Sequence, residues 1–294
     1  MRHDHNVWDF HLGITMLALK LASVLLLTLH PLLAAEYDHS PSLGPQKGFL
    51  IVHGGGKINP SVAAKFVELA GGLNANFVVI PTAASDEQLE LDKQAAWFQQ
   101  VFGAKHVIVL HTRDRNRANS DDFVGPLRHA SAVWIKGGRQ WRLTDAYLGT
   151  AVEREIKALL ARGGVVGGSS AGATIQGSFL VRGDAGNAKN PDGDNHIMMV
   201  PGHEVGFALL ENSAIDQHVI VRHREADLDQ VIAAHPNLLG IGVDETGAIL
   251  VHGNSFQVMG DKQVLIHDNQ DHDGKRYIVL SPGQKFDLKN RSVM

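Results

Sequence analysis

Cysteine is absent from all 294 residues. That excludes disulfides, thiolate-bound metals and a cysteine nucleophile, so covalent catalysis would have to use oxygen or nitrogen. A charge excess is missing too: 27 basic against 31 acidic residues leave a net charge of −4. Without a basic stripe interleaved with aromatics, no nucleic-acid partner is expected, because phosphate binding needs concentrated positive charge. The 17 histidines contain no H-E-x-x-H pair, and "GHEVG" (202–206) offers a single histidine, so scattered core and surface roles account for them. "HGGGK" (53–57) lacks the spacing and terminal Lys-Ser/Thr of a phosphate loop and reads as a tight turn after a strand, lining a cleft. "NPDGDNH" (190–196) lacks the twelve-residue pattern and closing glutamate of a calcium loop. No metal and no cofactor are called for.

Long apolar runs are scarce as well. "LASVLLLTL" (Leu21–Leu29) follows Lys20 and precedes the small residues Ala34 and Ala35. It is too short for a membrane span and has the layout of a secretory signal peptide over residues 1–35, with Met16 as an alternative start. An uncleaved anchor or an amphipathic helix is the competing reading. Export to a periplasmic or extracellular space follows, with a linker at 36–47 and a single domain from 48 to 294. No stable membrane span is expected once the signal is removed.

The domain alternates short, continuous apolar runs with amphipathic segments. "FLIVH" (49–53), "FVVIP" (77–81), "HVIVLH" (106–111), "AVWIK" (132–136) and "LLGIGV" (238–243) read as strands, most of them buried on both faces. Asn59 and Pro60 open a helix as N-cap and first residue, and Thr150 with Glu153 forms a capping box for another. Alternation of this kind predicts an α/β fold with a doubly wound, mostly parallel sheet and helices on both faces. The short runs "AILVH", "SFQVM" and "QVLIH" predict an antiparallel edge.

"GGSSAG" (167–172) contains G-x-S-x-G at Gly168–Gly172, the turn that exposes a nucleophilic serine at the carboxyl end of a strand. Its centre is Ser170, leaving Ser169 to cap or pack. Amides starting with Ala171 at the next helix would face an oxyanion. A Gly/Ser turn that only caps a helix has the same composition. A nucleophilic serine needs a base and an orienting acid. His218 in "IDQHV", and Asp244 or Glu245 after "GIGV", are candidates because each follows an apolar segment. The segment 190–196 is read as a mobile loop near the elbow, a candidate lid.

"GGRQ" (137–140), "GGSSAGA" (167–173), "IDQH" (215–218) with Arg222 and Arg224 beyond it, and "LLGIGVDE" (238–245) occur in an order that resembles the cyanophycinase family of serine peptidases, which also includes aspartyl dipeptidases. The resemblance runs from about residue 49 to about residue 260. It implies a flavodoxin-like three-layer sandwich related to class I glutamine amidotransferases, with serine in place of their cysteine. It also implies Ser170 as nucleophile, His218 as base and Glu245 as the acid orienting it. Gly137 or Gly138 would join the Ala171 N–H as oxyanion donors. Gln140, Asp216, Gln217, Arg222 and Arg224 would line the substrate pocket.

The chain departs from the family pattern at two positions. Arg139 stands where the acid of "GGDQ" is found, and Asp227 where a further arginine is usual. Both alter pocket charge, so the resemblance implies the peptidase chemistry and leaves the substrate open between cyanophycin, an aspartate–arginine polymer, and other acidic or β-aspartyl peptides. Arginines suit such substrates because they pair bidentately with carboxylates. A homodimer is admitted but not specified. Two rival readings remain: an α/β-hydrolase esterase of order Ser, acid, His, using His252 or His267, and a non-catalytic binding protein on the same fold.

Overall fold

The computed structural model describes residues 42–294, which form one compact unit. The expected signal peptide and most of the expected linker lie outside the described residues. The linker's described end is bound to the body: Gly44 N–H donates to Gly253 O at 2.9 Å, Gly253 N–H donates to Pro45 O at 2.9 Å, and Glu211 N–H donates to Leu43 O at 2.8 Å. Leu43, Gly44 and Pro45 of the expected linker are therefore bonded to the folded body.

In chain order the described strands and α-helices are β1 (Phe49–His53), α1 (Pro60–Leu69), β2 (Asn76–Ile80), α2 (Leu91–Phe102), β3 (His106–Val109), α3 (Arg115–Ala118), α4 (Asp121–His129), β4 (Ala132–Ile135), α5 (Gln140–Tyr147), α6 (Ala151–Ala161) and β5 (Val165–Ser169). There follow α7 (Ala171–Thr174), β6 (Gly177–Phe179), β7 (Leu210–Gln217), α8 (Asp227–Ala234), β8 (Leu239–Val243), β9 (Gly247–His252), β10 (Ser255–Gly260), β11 (Val264–His272), β12 (Lys275–Leu280), β13 (Lys285–Asp287) and β14 (Ser292–Val293).

The described strands form two sheets where one was expected. The first runs β14-β13-β10-β9-β1-β5-β4-β2-β3, parallel from β1 to β3 and antiparallel beyond β1. The second runs β12-β11-β8-β7-β6, and it takes in both the "LLGIGV" and "QVLIH" segments. Of the three runs expected at an antiparallel edge, "AILVH" and "SFQVM" take that place in the main sheet, extended by β13 and β14. Local pattern cannot separate these outcomes, because a strand buried on both faces reads the same in either sheet.

Alternation along the parallel strands divides the core. Ile51, Phe77, Val79 and Trp134 face α1 and α2, where Phe66, Phe98 and Phe102 complete an aromatic cluster; the Phe66 and Trp134 rings meet edge-on at 5.1 Å. Leu50, Val52, Val78, Ile80 and Ile135 face the other way, onto helices α4 to α6 and the second sheet. Helices thus cover both faces of the parallel half of a mixed sheet, consistent with an α/β three-layer fold; the expected mostly parallel sheet is instead divided evenly, four strand pairs parallel and four antiparallel. Among the described residues no helix is long and apolar enough to cross a membrane.

The helix starts follow side-chain chemistry, with one amendment. Asn59 Oδ1 accepts from Ser61 N–H at 3.0 Å, so the cap ahead of Pro60 forms as expected. The Thr150/Glu153 box is displaced: Thr150 Oγ1 donates to Tyr147 O, and Glu153 Oε2 accepts from Gly149 N–H at 2.6 Å. Two residues of β5 must be glycine for steric reasons. A Cβ on Gly167 would lie 2.3 Å from the Trp134 ring, and one on Gly168 would lie 2.0 Å from Gly172 O. Strand β5 thereby passes directly under the turn that follows it.

Candidate active site

Strand β5 ends in that turn, and Ser170 occupies it with φ 56° and ψ −116°. A non-glycine residue there is strained, and such strain persists only where surrounding structure imposes it. The Ser170 N–H is tied to His53 O at 3.1 Å, and its carbonyl accepts from Ala173 and Thr174 at 2.8 and 3.0 Å. The following helix, α7, is only four residues long. As its first residue, Ala171 has no intrahelical acceptor for its N–H. Gly137 lies alongside: a Cβ there would be 3.1 Å from Ser170 Cβ and 3.6 Å from its Oγ. Gly138, at φ 146°, presses against Ala83, where a Cβ would meet the carbonyl oxygen at 2.0 Å.

The second sheet supplies the rest. His218 follows β7, and its Nε2 lies 3.0 Å from Ser170 Oγ. On the other side of the ring, Nδ1 lies 2.6 Å from Glu245 Oε1, just past β8. With Nδ1–H donating to the carboxylate, the Nε2 lone pair faces the Ser170 hydroxyl. Burial, then the Arg222 charge, lowers the His218 pKa below its ordinary value; the Glu245 hydrogen bond and charge oppose this. The ring is therefore neutral and able to accept a proton at neutral pH.

Asp244, the alternative acid, is turned away. Its Oδ1 accepts from Ile220 and Val221 N–H, both at 3.0 Å, which fixes the turn after His218. Ser169 also points away from the site, its Oγ 3.1 Å from His53 Nδ1. Neither histidine of the esterase order reaches Ser170. His252 Nδ1 bonds Gly48 O, and buried His267 bonds Asp229 at 2.8 Å.

The expected pocket residues divide. Gln217 Oε1 comes within 3.4 Å of Ser170 Oγ. Arg222 is exposed; Arg224 is 7% exposed, and its Nη1 is buried with no hydrogen-bond partner. Two others are buried and bonded within the protein. Asp216 is completely buried, its two oxygens accepting from Arg182 Nε and Nη2 at 2.8 and 2.7 Å, so it supports the site from beneath. Gln140 is 1% exposed and spends its amide N–H on Val181 O at 2.9 Å.

Arg182 was not anticipated from sequence. Its Nη2 also bonds Asp227 at 2.6 Å, and Asn195 O accepts from its Nη1 at 2.5 Å. Burial works against its charge, yet the Asp216 and Asp227 carboxylates hold its pKa above the ordinary value. A lone arginine in "LVRGD" gives no sequence signal for this, since both partners are distant. The 190–196 segment bonds through Asp192 to Arg142 and through the Asp192 carbonyl to the Trp141 ring N–H. Among the described residues no group of three or more His, Asp or Glu could hold a metal ion.

Residues 50–259 match the family model for Peptidase family S51. The chain belongs to that family. It is 31% identical over 248 residues to a cyanophycinase of Nostoc sp., covering 78% of this chain and 80% of that one. A cyanophycinase of Synechococcus elongatus is 26% identical over 294 residues, covering 97% and 87%. Among solved structures, a peptidase from an acI-B1 Actinobacterium superposes with a TM-score of 0.64 at 22% identity, over 83% of this chain and 98% of that one. A putative peptidase E of Listeria monocytogenes gives 0.53 at 17% identity, over 73% and 99%. These two likenesses bear on the fold. As a member of family S51, the chain is a serine-type peptidase of the cyanophycinase-like group.

Proposed function

We propose that this S51 peptidase cleaves acidic or β-aspartyl peptides through a Ser170–His218–Glu245 triad. The observation that carries the reading is the continuous relay from Glu245 Oε1 through both His218 nitrogens to Ser170 Oγ, at 2.6 and 3.0 Å. Ser170 Oγ attacks the scissile carbonyl carbon as His218 Nε2 takes its proton, and the Glu245 carboxylate stabilises the resulting imidazolium. The carbonyl oxygen becomes an oxyanion facing the Ala171 N–H and an amide of Gly137 or Gly138. Collapse breaks the C–N bond as His218 returns the proton to the leaving amine. Water, deprotonated by His218, then releases the acyl group and restores Ser170.

Arg222 and Arg224 support the acidic preference. Both lie within six residues of His218, and among the described residues no carboxylate forms an ion pair with either. Burial and the Arg182 charge disfavour the Arg224 cation, so a substrate carboxylate there replaces lost solvation. The signal-like segment at 1–35 supports export of the enzyme, with a mature N-terminus near Glu36. N-terminal sequencing of protein from an exporting host checks that part.

The reading is tested by assaying β-aspartyl, α-aspartyl and neutral peptides and simple esters, with Ser170→Ala and Ser169→Ala as controls. β-Aspartyl or acidic peptides should be turned over fastest, Ser170→Ala should lose about 10⁴-fold in kcat, and Ser169→Ala should keep a substantial share. Faster turnover of neutral esters, or equal losses at both serines, would contradict it.

A further inference from the structure

The catalytic relay uses two histidine nitrogens, yet a second buried imidazole lies behind the same turn. His53 closes β1 and pairs in register with Ser169, the last residue of β5. It is fully buried. Its Nδ1 accepts from Gly55 N–H at 3.2 Å and lies 3.1 Å from Ser169 Oγ. Since Nδ1 is an acceptor, the ring proton sits on Nε2, which is buried without a partner. An unsatisfied buried donor works against folding, and its presence calls for a reason. Burial, and less strongly His218, pushes the His53 pKa down to about 4, with Asp261 opposing, so the Nδ1 lone pair is available at neutral pH.

The turn that His53 holds touches all three members of the relay. His53 O accepts from Ser170 N–H, Gly54 O accepts from His218 N–H, and Gly55 O accepts from Thr246 N–H beside Glu245, each at 3.1 Å. The glycines are moulded to the catalytic side chains. At φ 123°, Gly55 leaves room for the imidazole, since a Cβ there would lie 2.1 Å from His218 Cε1. A Cβ on Gly56, at φ 67°, would lie 2.6 Å from Glu245 Oε2. Glycines give close approach but no rigidity of their own. The bond from Gly55 N–H to a side chain two residues back is the device by which Asx turns are fixed.

We propose that His53 is a positioning residue of this peptidase: its imidazole fixes the Gly54–Gly56 turn and Ser169 in the frame that aligns Ser170, His218 and Glu245. The inference rests on the triad reading above. It assigns the "HGGGK" turn to alignment of the two sheets' catalytic groups. It also gives Ser169 a role distinct from that of its neighbour.

The test compares His53→Asn, His53→Gln and His53→Leu, with Ser170→Ala alongside, measuring kcat, KM and urea midpoint on one acidic peptide. Asn places a carbonyl oxygen where Nδ1 was, Gln places its amide one bond further out, and Leu removes the acceptor. Misplacement of catalytic groups predicts a kcat loss of about 100-fold for Leu at nearly constant KM, a comparable loss for Gln, and recovery of most activity for Asn. The urea midpoint of His53→Leu should not fall in step with kcat, because the orphaned Nε2–H leaves with the ring. If His53→Leu fails to fold, the contrast between Asn and Gln carries the test alone. Equal activity in Asn and Gln variants, wild-type kcat in the Leu variant, or a kcat loss that follows unfolding would each overturn the inference while an inactive Ser170→Ala leaves the triad standing. An active Ser170→Ala would instead remove the reading on which it rests.

Discussion

His218 and Ser170 meet at 3.0 Å although they belong to different sheets, one following β7 and the other β5. The proposed catalytic geometry is therefore a property of how the two sheets pack. Gly54 O and His53 O, each bonded at 3.1 Å to one of the two residues, bridge the gap.

The first prediction concerns the relay as a unit. His218→Ala should lower kcat about as far as Ser170→Ala, and the double variant should be little worse than either, because members of one catalytic unit are not additive. Glu245→Gln should cost less, since it removes the orienting charge and leaves the base. His252→Ala and His267→Ala should retain activity, as their ring nitrogens bond Gly48 and Asp229 and not the serine. Steady-state kinetics on a single peptide checks all six variants.

The pH profile follows from His218. Burial and Arg222 lower its pKa, and only the neutral ring accepts a proton, so the acid limb of kcat/KM should lie below pH 6.5. Arg222→Gln removes one lowering cause, and the limb should then move upward. A limb above 7 in the wild type, or a downward move in the variant, would contradict the assignment.

Stability should also fall on the acid side. His53 takes up its proton at about 4 in the folded chain, against 6.5 ordinarily. Below pH 6.5 the unfolded chain protonates first, so stability drops with pH until about pH 4, a loss of roughly 3 kcal/mol from this group. His111, His218 and His267 are lowered by burial as well and add to the slope. Urea midpoints at pH 7 and 4.5 should differ less in His53→Asn than in the wild type; equal differences would contradict it.

Arg182 gives a prediction of a different kind. Replacing it with Met leaves Asp216 buried and uncompensated, at a cost of about 3–5 kcal/mol in unfolding free energy. Asp227→Asn should cost much less, because the Asp227 side chain is one-third exposed and the Asp216 pair remains. Equal urea midpoints for the two variants would show that the buried pair does not carry this load.

Part of the candidate site is legible along the chain. The elbow at Gly168–Gly172 has a local signature, and so does the Asn59–Pro60 cap, because backbone strain and capping are set by neighbours in sequence. Asp216 could not be read this way. Its position beside Gln217 and His218 suggests a pocket residue, and only the fold brings Arg182, 34 residues away, against both its oxygens. The split into two sheets was hidden for a related reason: "LLGIGV" is apolar throughout, and its partners β7 and β11 are chosen by long-range packing. In sequence His53 reads as part of a glycine turn, because its partner, Ser169, is 116 residues distant.

Whether Ser170 is the nucleophile activated by His218 can be read from the site of a fluorophosphonate adduct, mapped by peptide mass spectrometry. The adduct should fall on Ser170 alone in the wild type, form far more slowly in His218→Ala, and be absent in Ser170→Ala. An adduct on Ser169, or undiminished labelling of His218→Ala, would contradict it.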